Sequence, residues 1–331
     1  MTTDIKKLIK ELLEKKEFNY HNIEGGQSYH FIVVGAGGTG GYLIPNLARM
    51  VSLTNEQFED EGVSHRITII DADDVEPKNL TRQQFVQPDI GKNKAEIMAR
   101  RYGRSFGLTI GYIKKYIESP EDLVQLMSSS EHTPVLVDAV DNNKTRLIMK
   151  EAMDEYGKTG EILQISSGNE EYAGQVIFNY KNKDLHTTVR DSDGFRAATR
   201  NTPGLFEVFP TAEIGQLPTE LSCAEQAISS PQNIHVNMTA ANLMFGYVNK
   251  ILNYRPINEL AIFFDTNTQQ TSVYRATKSG LEDLMRMTPN NASLLDYLPD
   301  SELSNESEAD LVHPPKLSEL PKVELEEVEA L

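Results

Sequence analysis

The chain has 331 residues, 39% of them hydrophobic, with 32 Lys plus Arg against 49 Asp plus Glu, a single cysteine and no tryptophan. That length supports a large buried core in one or two domains, and the lone Cys223 excludes both an internal disulfide framework and a structural zinc site built from paired Cys-x-x-Cys ligands, so a reducing compartment and no structural zinc are expected. A net charge of −17 argues against general nucleic-acid binding, although residues 296–331 hold 11 acidic and 2 basic residues, which leaves only −8 on residues 1–295.

The N-terminus, MTTDIKKLIKELLEKKEF, has neither the apolar stretch nor the cleavage site of a signal peptide, and no run of about 18 apolar residues follows it. A soluble, cytoplasmic protein with no membrane partner is expected. Ile5, Leu8, Ile9, Leu12 and Leu13 fall at helical spacing and predict a helix over residues 1–20, within an N-terminal segment 1–25. Its apolar stripe fits packing on the body better than a partner surface.

Tyr29 to Val34 reads as a strand, GAGGTGG as a glycine turn, and YLIPNLARMV as a helix that tolerates Pro45. Arg66 to Ile70 is a second strand ending at Asp71, and GKNKAEIMARRYGRSF continues as a helix. Further strands are expected near Leu108 to Ile113 and over Pro134 to Val140, then a helix around Lys144 to Tyr156. The alternation predicts an α/β, Rossmann-like fold with a mostly parallel central sheet flanked by helices. EILQISS and AGQVIFNY follow as strands. Residues 181–222 are polar and aperiodic and read as one long functional loop. Ile234 to Leu252 regains helical spacing, and LAIFFDTNTQQTSVYRAT reads as two strands around Asn267, a C-terminal antiparallel extension. The main domain is thus placed at 26–285. An acidic tail over 286–331, poor in aromatics, is expected to be disordered.

Gly35, Gly37 and Gly40 fit G-x-G-x-x-G between a strand and a helix, where the backbone can approach phosphate and the helix N-terminus favours negative charge. A plain structural corner is the alternative. Asp71 is the acidic residue placed to hold a ribose hydroxyl, 31 residues after Gly40 rather than the usual ~20. SLTNEQFEDEGVSH reads as the insertion between them. Asn79, Arg82, Gln83 and Lys94 follow, a donor set that suits a triphosphate better than a nicotinamide. A solvated loop and helix face is the competing reading.

Taken together, GAGGTGG, DADDVEPKNLTRQQF, DIGKNKA and DAVDNNKTR resemble the ThiF/MoeB superfamily of ubiquitin-activating-enzyme-like adenylyltransferases over roughly residues 28–275. Within it, SSGNEEYAGQV, LFEVFP and ELSCAEQAISSPQNIHVN are similar to the ThiF-like proteins of PRTRC systems. The resemblance implies an ATP site lined by Gly35, Gly37, Gly38 and Gly40, with Asp71 on the ribose. Asn79, Arg82, Gln83 and Lys94 would lie on the phosphates, and Asp141 on Mg²⁺; Arg82 and Lys94 would then serve catalysis by neutralising the phosphates. An ordinary helix N-cap is the bland alternative for Asp141. Cys223, ahead of the helix at 234–252, is either a nucleophile that accepts an activated acyl group or a small buried hydrophobe. His186 and His235 receive no role.

The implied activity is adenylation of the C-terminal carboxylate of a small ubiquitin-like or sulfur-carrier protein by a homodimeric enzyme. A non-catalytic nucleotide-binding scaffold and an NAD- or FAD-dependent oxidoreductase are the alternatives. Many relatives carry two Cys-x-x-Cys pairs that bind structural zinc, which a chain with one cysteine cannot do, and bacterial ones supply an arginine from an N-terminal Arg-Tyr segment of the partner subunit, of which no counterpart is seen before Gly35.

Overall fold

The computed structural model describes residues 26–182, 187–190, 196–199, 204–209 and 233–275, together with Gly280 and Asp283. The helix expected over 1–20, the tail 286–331, His186 and Cys223 lie outside the described residues.

The amino-terminal half alternates strand and helix: β1 (Tyr29–Val34), α1 (Gly38–Gln57), β2 (Arg66–Ile70), α2 (Lys94–Phe106), β3 (Gly111–Ile113), α3 (Pro120–Ser128), β4 (Thr133–Asp138) and α4 (Asn143–Tyr156). Then come β5 (Glu161–Asn169), β6 (Ala173–Asn182), β7 (Thr187–Arg190), β8 (Arg196–Thr199), α5 (Leu205–Val208), α6 (Ile234–Leu252), β9 (Glu259–Asp265) and β10 (Gln270–Arg275). Eight strands form one sheet in the order β10-β9-β6-β5-β4-β1-β2-β3. The segment from β3 to β5 is parallel, whereas β5, β6, β9 and β10 pair antiparallel. This is the Rossmann-like α/β fold with an antiparallel extension that the periodicity predicts.

Strands β1 and β4 are buried on both faces, which is why they read as continuous apolar runs rather than as alternating ones. In β1, Tyr29, Phe31 and Val33 pack with Leu43 and Leu47 of α1, Met98 of α2 and Val248 of α6. Ile32 and Val34 turn to the other face, against Leu123 and Met127 of α3 and Met149 and Met153 of α4. The chain therefore crosses from one face of the sheet to the other between β1 and β4, and this reversal leaves a crevice beyond their carboxyl ends.

SLTNEQFEDEGVSH, the insertion, extends α1 to Gln57 and adds a 3-10 turn at Glu59–Glu61. Two local expectations are corrected. The third strand is shorter than Leu108 to Ile113, because the Leu108 amide donates to the Gly103 carbonyl in the turn that ends α2. The segment 181–222 is not one loop, since β6 runs on to Asn182 and β7 and β8 form a hairpin with Thr187 opposite Thr199. No helix among the described residues is long and apolar enough to cross a membrane.

Candidate functional site

The glycine turn sits at the crevice, between β1 and α1. Gly35 has φ +96°, and a Cβ there would lie 2.6 Å from the Ala139 carbonyl oxygen, so the turn and the loop after β4 are in direct contact. A Cβ at Gly40 would overlap the Gly35 carbonyl oxygen. Glycine at these two positions is a packing requirement. Gly37 is the N-cap of α1 and supplies no side-chain cap, so the N–H groups of the first turn keep their capacity to bind an anion.

Asp71, at the end of β2, reaches under this turn. The Ala36 amide donates to its Oδ2 at 2.7 Å and the Asp73 amide to its Oδ1 at 2.9 Å. Burial holds the Asp71 carboxyl above its ordinary range, and nearby Asp73 adds to the rise; Lys94 and the two amides act in the opposite sense. Each oxygen retains a lone pair for a further donor.

Lys94 opens α2 and is only 6% exposed. Its ammonium pairs with Asp73 at 2.9 Å, and the Tyr116 hydroxyl donates to the other oxygen of the same carboxylate. Burial pushes Asp73 up, but Lys94 and Tyr116 together overcome that and hold it below the usual carboxylate range. Burial raises the Tyr116 phenol, and the neighbouring Asp73, Asp71 and Asp141 charges raise it further. Asn93 caps α2 through Glu96 and donates to the carbonyls of Asp71 and Asp73, which locks the strand end to the helix start.

The segment that follows Asp74 folds back over the turn. The Gln83 amide nitrogen would stand 3.4 Å from a Cβ at Gly37, and the Gln84 Cβ 3.7 Å from one at Gly41. Asn79 is buried and shapes this segment from within: its Oδ1 accepts from the Glu76 amide, and its carbonyl accepts from the amides of Arg82 and Gln83. The Arg82 Nε and the Gln83 Oε1 are both buried without a hydrogen-bond partner among the described residues. Such orphaned polar atoms carry a desolvation cost that a bound polar ligand would relieve.

Asp141 is exposed beyond the end of β4 and does not cap α4. The cap is Asn142, whose side chain accepts from the Thr145 amide at 2.8 Å, so the helix-cap alternative for Asp141 is not met and its carboxylate is left outside the helix. Among the described residues no group of three or more His, Cys, Asp and Glu side chains could hold a metal ion.

Sequence reasoning missed the support beneath this loop. Asp138 is fully buried and accepts from Ser166 at 2.5 Å, with the Arg146 Nε 3.3 Å away. Arg146 also donates to the carbonyls of Val140 at 2.5 Å and Ser167 at 2.6 Å, which ties the Asp141 loop to α4 and β5. The signal was present, because a charged residue inside PVLVDAV needs a partner. A second omission is a polar cluster in which Asn169, at the end of β5, donates to Thr39 at 2.7 Å and to Asn237 of α6 at 3.1 Å.

The structure thus places the glycine turn, Asp71, Gln83, and Asp73 with Lys94 beside one another, with the loop after β4 against the turn. Cys223 lies outside the described residues.

The search of curated proteins gives no match. Among solved structures the chain is similar to E. coli MccB with ATP, at 17% identity and a TM-score of 0.49 over 75% of this chain and 64% of that one. It is also similar to E. coli MccB with succinimide, at 18% identity and 0.49 over 75% and 63%, and to PaaA, at 16% identity and 0.47 over 76% and 65%. The chain therefore spans less than two thirds of the length of these proteins. The ThiF family model matches residues 14–279, and the chain belongs to the ThiF family.

Proposed function

We propose that this ThiF-family chain binds ATP over the Gly35 to Gly40 turn and adenylates a carboxylate on a partner, releasing pyrophosphate. The observation that carries this reading is the pair of orphaned polar atoms on Arg82 and Gln83, held in the segment that covers the uncapped start of α1. In this reading Gly35, Gly37, Gly38 and Gly40 line the nucleotide, and Asp71 accepts from the ribose hydroxyls. Asn79, Arg82, Gln83 and Lys94 hold the phosphates. Lys94 must then share or exchange its Asp73 partner, so Asp73 aims the ammonium into the crevice.

Mg²⁺ on a nucleotide needs only one or two protein carboxylates, with phosphates and waters completing its shell, and the exposed Asp141 fits that requirement. When bound, it would neutralise phosphate charge and favour departure of pyrophosphate. The substrate carboxylate oxygen attacks the α-phosphorus, and the bond from that phosphorus to the bridging oxygen of the β-phosphate breaks with its electron pair leaving on pyrophosphate. No proton moves in this step, because the nucleophile is already ionised. Arg82 and Lys94 lower the barrier by fixing positive charge where the leaving group gains negative charge.

The substrate in this reading is the C-terminal carboxylate of a small ubiquitin-like or sulfur-carrier protein, with a homodimer as the working unit, the cytoplasm as its location and Cys223 as the acceptor of a thioester. SSGNEEYAGQV and its companion segments support a place beside the PRTRC-type members. The test is ATP–pyrophosphate exchange with candidate carrier proteins and with Asp141→Ala as control. Partner-dependent exchange that falls in the variant is expected. Unchanged exchange in Asp141→Ala removes the metal role, and ATP binding without exchange for any carrier favours the scaffold reading.

A further inference from the structure

A cavity of about 760 Å³ is lined by residues of the segment 72–93 and of α2, together with Lys114, and its lining shares no residue with the glycine turn, Asp71, Arg82, Gln83, Lys94 or Asp141. Five cations line it: Lys92, Arg100, Arg101, Arg104 and Lys114. In a chain of net charge −17 this is an unusual local concentration. Three acids share the wall, and they are already engaged or outnumbered. Asp89 pairs with Arg101 and accepts from the Val86 amide at 2.9 Å, and Glu96 pairs with both Arg100 and Lys114. Lys92 and Arg104 have no acidic partner among the described residues, and Asp74 is the only remaining acid of the wall.

The spacing of these charges selects the ligand. Arg100 and Arg104 stand one helical turn apart on a single face of α2 and form a row, and the point where Arg100 and Lys114 converge is already filled by the Glu96 carboxylate. A single phosphate needs convergent donors. A dense polyanion would meet the interspersed Asp74 and Glu96 carboxylates. A ligand with separated carboxylates suits the row better, since each guanidinium can take one in a bidentate fork. Ile97 and the arginine stems supply apolar contact between the charges. Beside it, the Lys114 ammonium stands 5.5 Å from the centroid of the Tyr112 ring. We propose that this cavity is a docking site for an acidic peptide segment of a protein partner, separate from the nucleotide crevice.

The experiment measures anisotropy of a fluorescein-labelled oligoglutamate peptide with the full chain at low ionic strength. Saturable binding that weakens as salt rises is expected. Arg104→Glu should weaken it about tenfold or more, the loss of one charge-assisted contact. Lys158→Glu makes the same charge change on exposed surface elsewhere and should leave it nearly unchanged. ATP binding in Arg104→Glu should match that of the wild type, so failure of this proposal and failure of the nucleotide reading separate. No saturable binding, equal weakening by both substitutions, or displacement by tripolyphosphate at concentrations where excess unlabelled peptide has no effect would each overturn the proposal.

Discussion

Acidification should destabilise this fold through two histidines at the amino ends of its central strands. His65 is 3% exposed, and its Nδ1 accepts from the Tyr29 amide at 3.1 Å, which puts the ring proton on Nε2, where it finds no partner among the described residues. His30 is 6% exposed, with Nε2 against the Thr68 hydroxyl at 2.8 Å and Nδ1 orphaned. Burial, with added repulsion from His132, lowers both to about 4 from 6.5, and Arg66 adds to the effect on His30. Both are therefore neutral when folded, and the unfolded chain binds protons first as pH falls through 6.5. Stability is intact above that value and is lost between pH 6.5 and 4. At pH 5 the difference is about 1.5 pK units per ring, or about 2 kcal/mol each, and about 4 kcal/mol together. This is a large share of a typical folding free energy of about 5–15 kcal/mol. Buried Asp71 and Asp138 shift in the opposite sense, so the informative quantity is the difference between wild type and His65→Gln. Urea denaturation at pH 7 and pH 5 should show the variant losing about 2 kcal/mol less than wild type over that interval. Equal losses in the two proteins would refute the reasoning.

Arg146→Ala should cost about 3–5 kcal/mol in urea denaturation, because it leaves the buried Asp138 carboxylate without its cation; a loss below about 1 kcal/mol would show the pair to be dispensable. Gly40→Ala should abolish nucleotide binding or folding, whereas Gly37→Ala, which meets only the end of the Gln83 side chain at 3.4 Å, should fold normally; thermal melts of the two variants compare them, and equal melting would contradict the geometry. For Cys223, intact-mass analysis after incubation with ATP and a carrier protein should find a thiol-labile adduct that disappears in Cys223→Ser, and persistence of that adduct would exclude this cysteine.

Much of the architecture was legible because parallel strands buried on both faces are short apolar runs, and YHFIVV, RITII and PVLVD stand out between helical patterns. The glycine turn was legible for a related reason, since only backbone-to-backbone approach at Gly35 and Gly40 demands that spacing. Partnerships across the fold were not. Lys94 reads as a free cation in sequence, but it reaches Asp73 and, through it, Tyr116, because β2, β3 and α2 meet only after the sheet forms. Asp141 and Asn142 are equally good caps by composition, and the turn geometry alone selects Asn142. The basic row on α2 is spread through a helix that looks like ordinary solvated surface until the fold closes a cavity over it.

The central claim is that the crevice is built for a nucleoside triphosphate, and calorimetric titration with ATP and with NAD tests it most directly. Wild-type protein should bind ATP more tightly than NAD, and Arg82→Ala and Lys94→Ala should each weaken ATP about tenfold or more, as expected for a lost charge-assisted contact. Tighter binding of NAD, or ATP affinity unchanged in both variants, would contradict it.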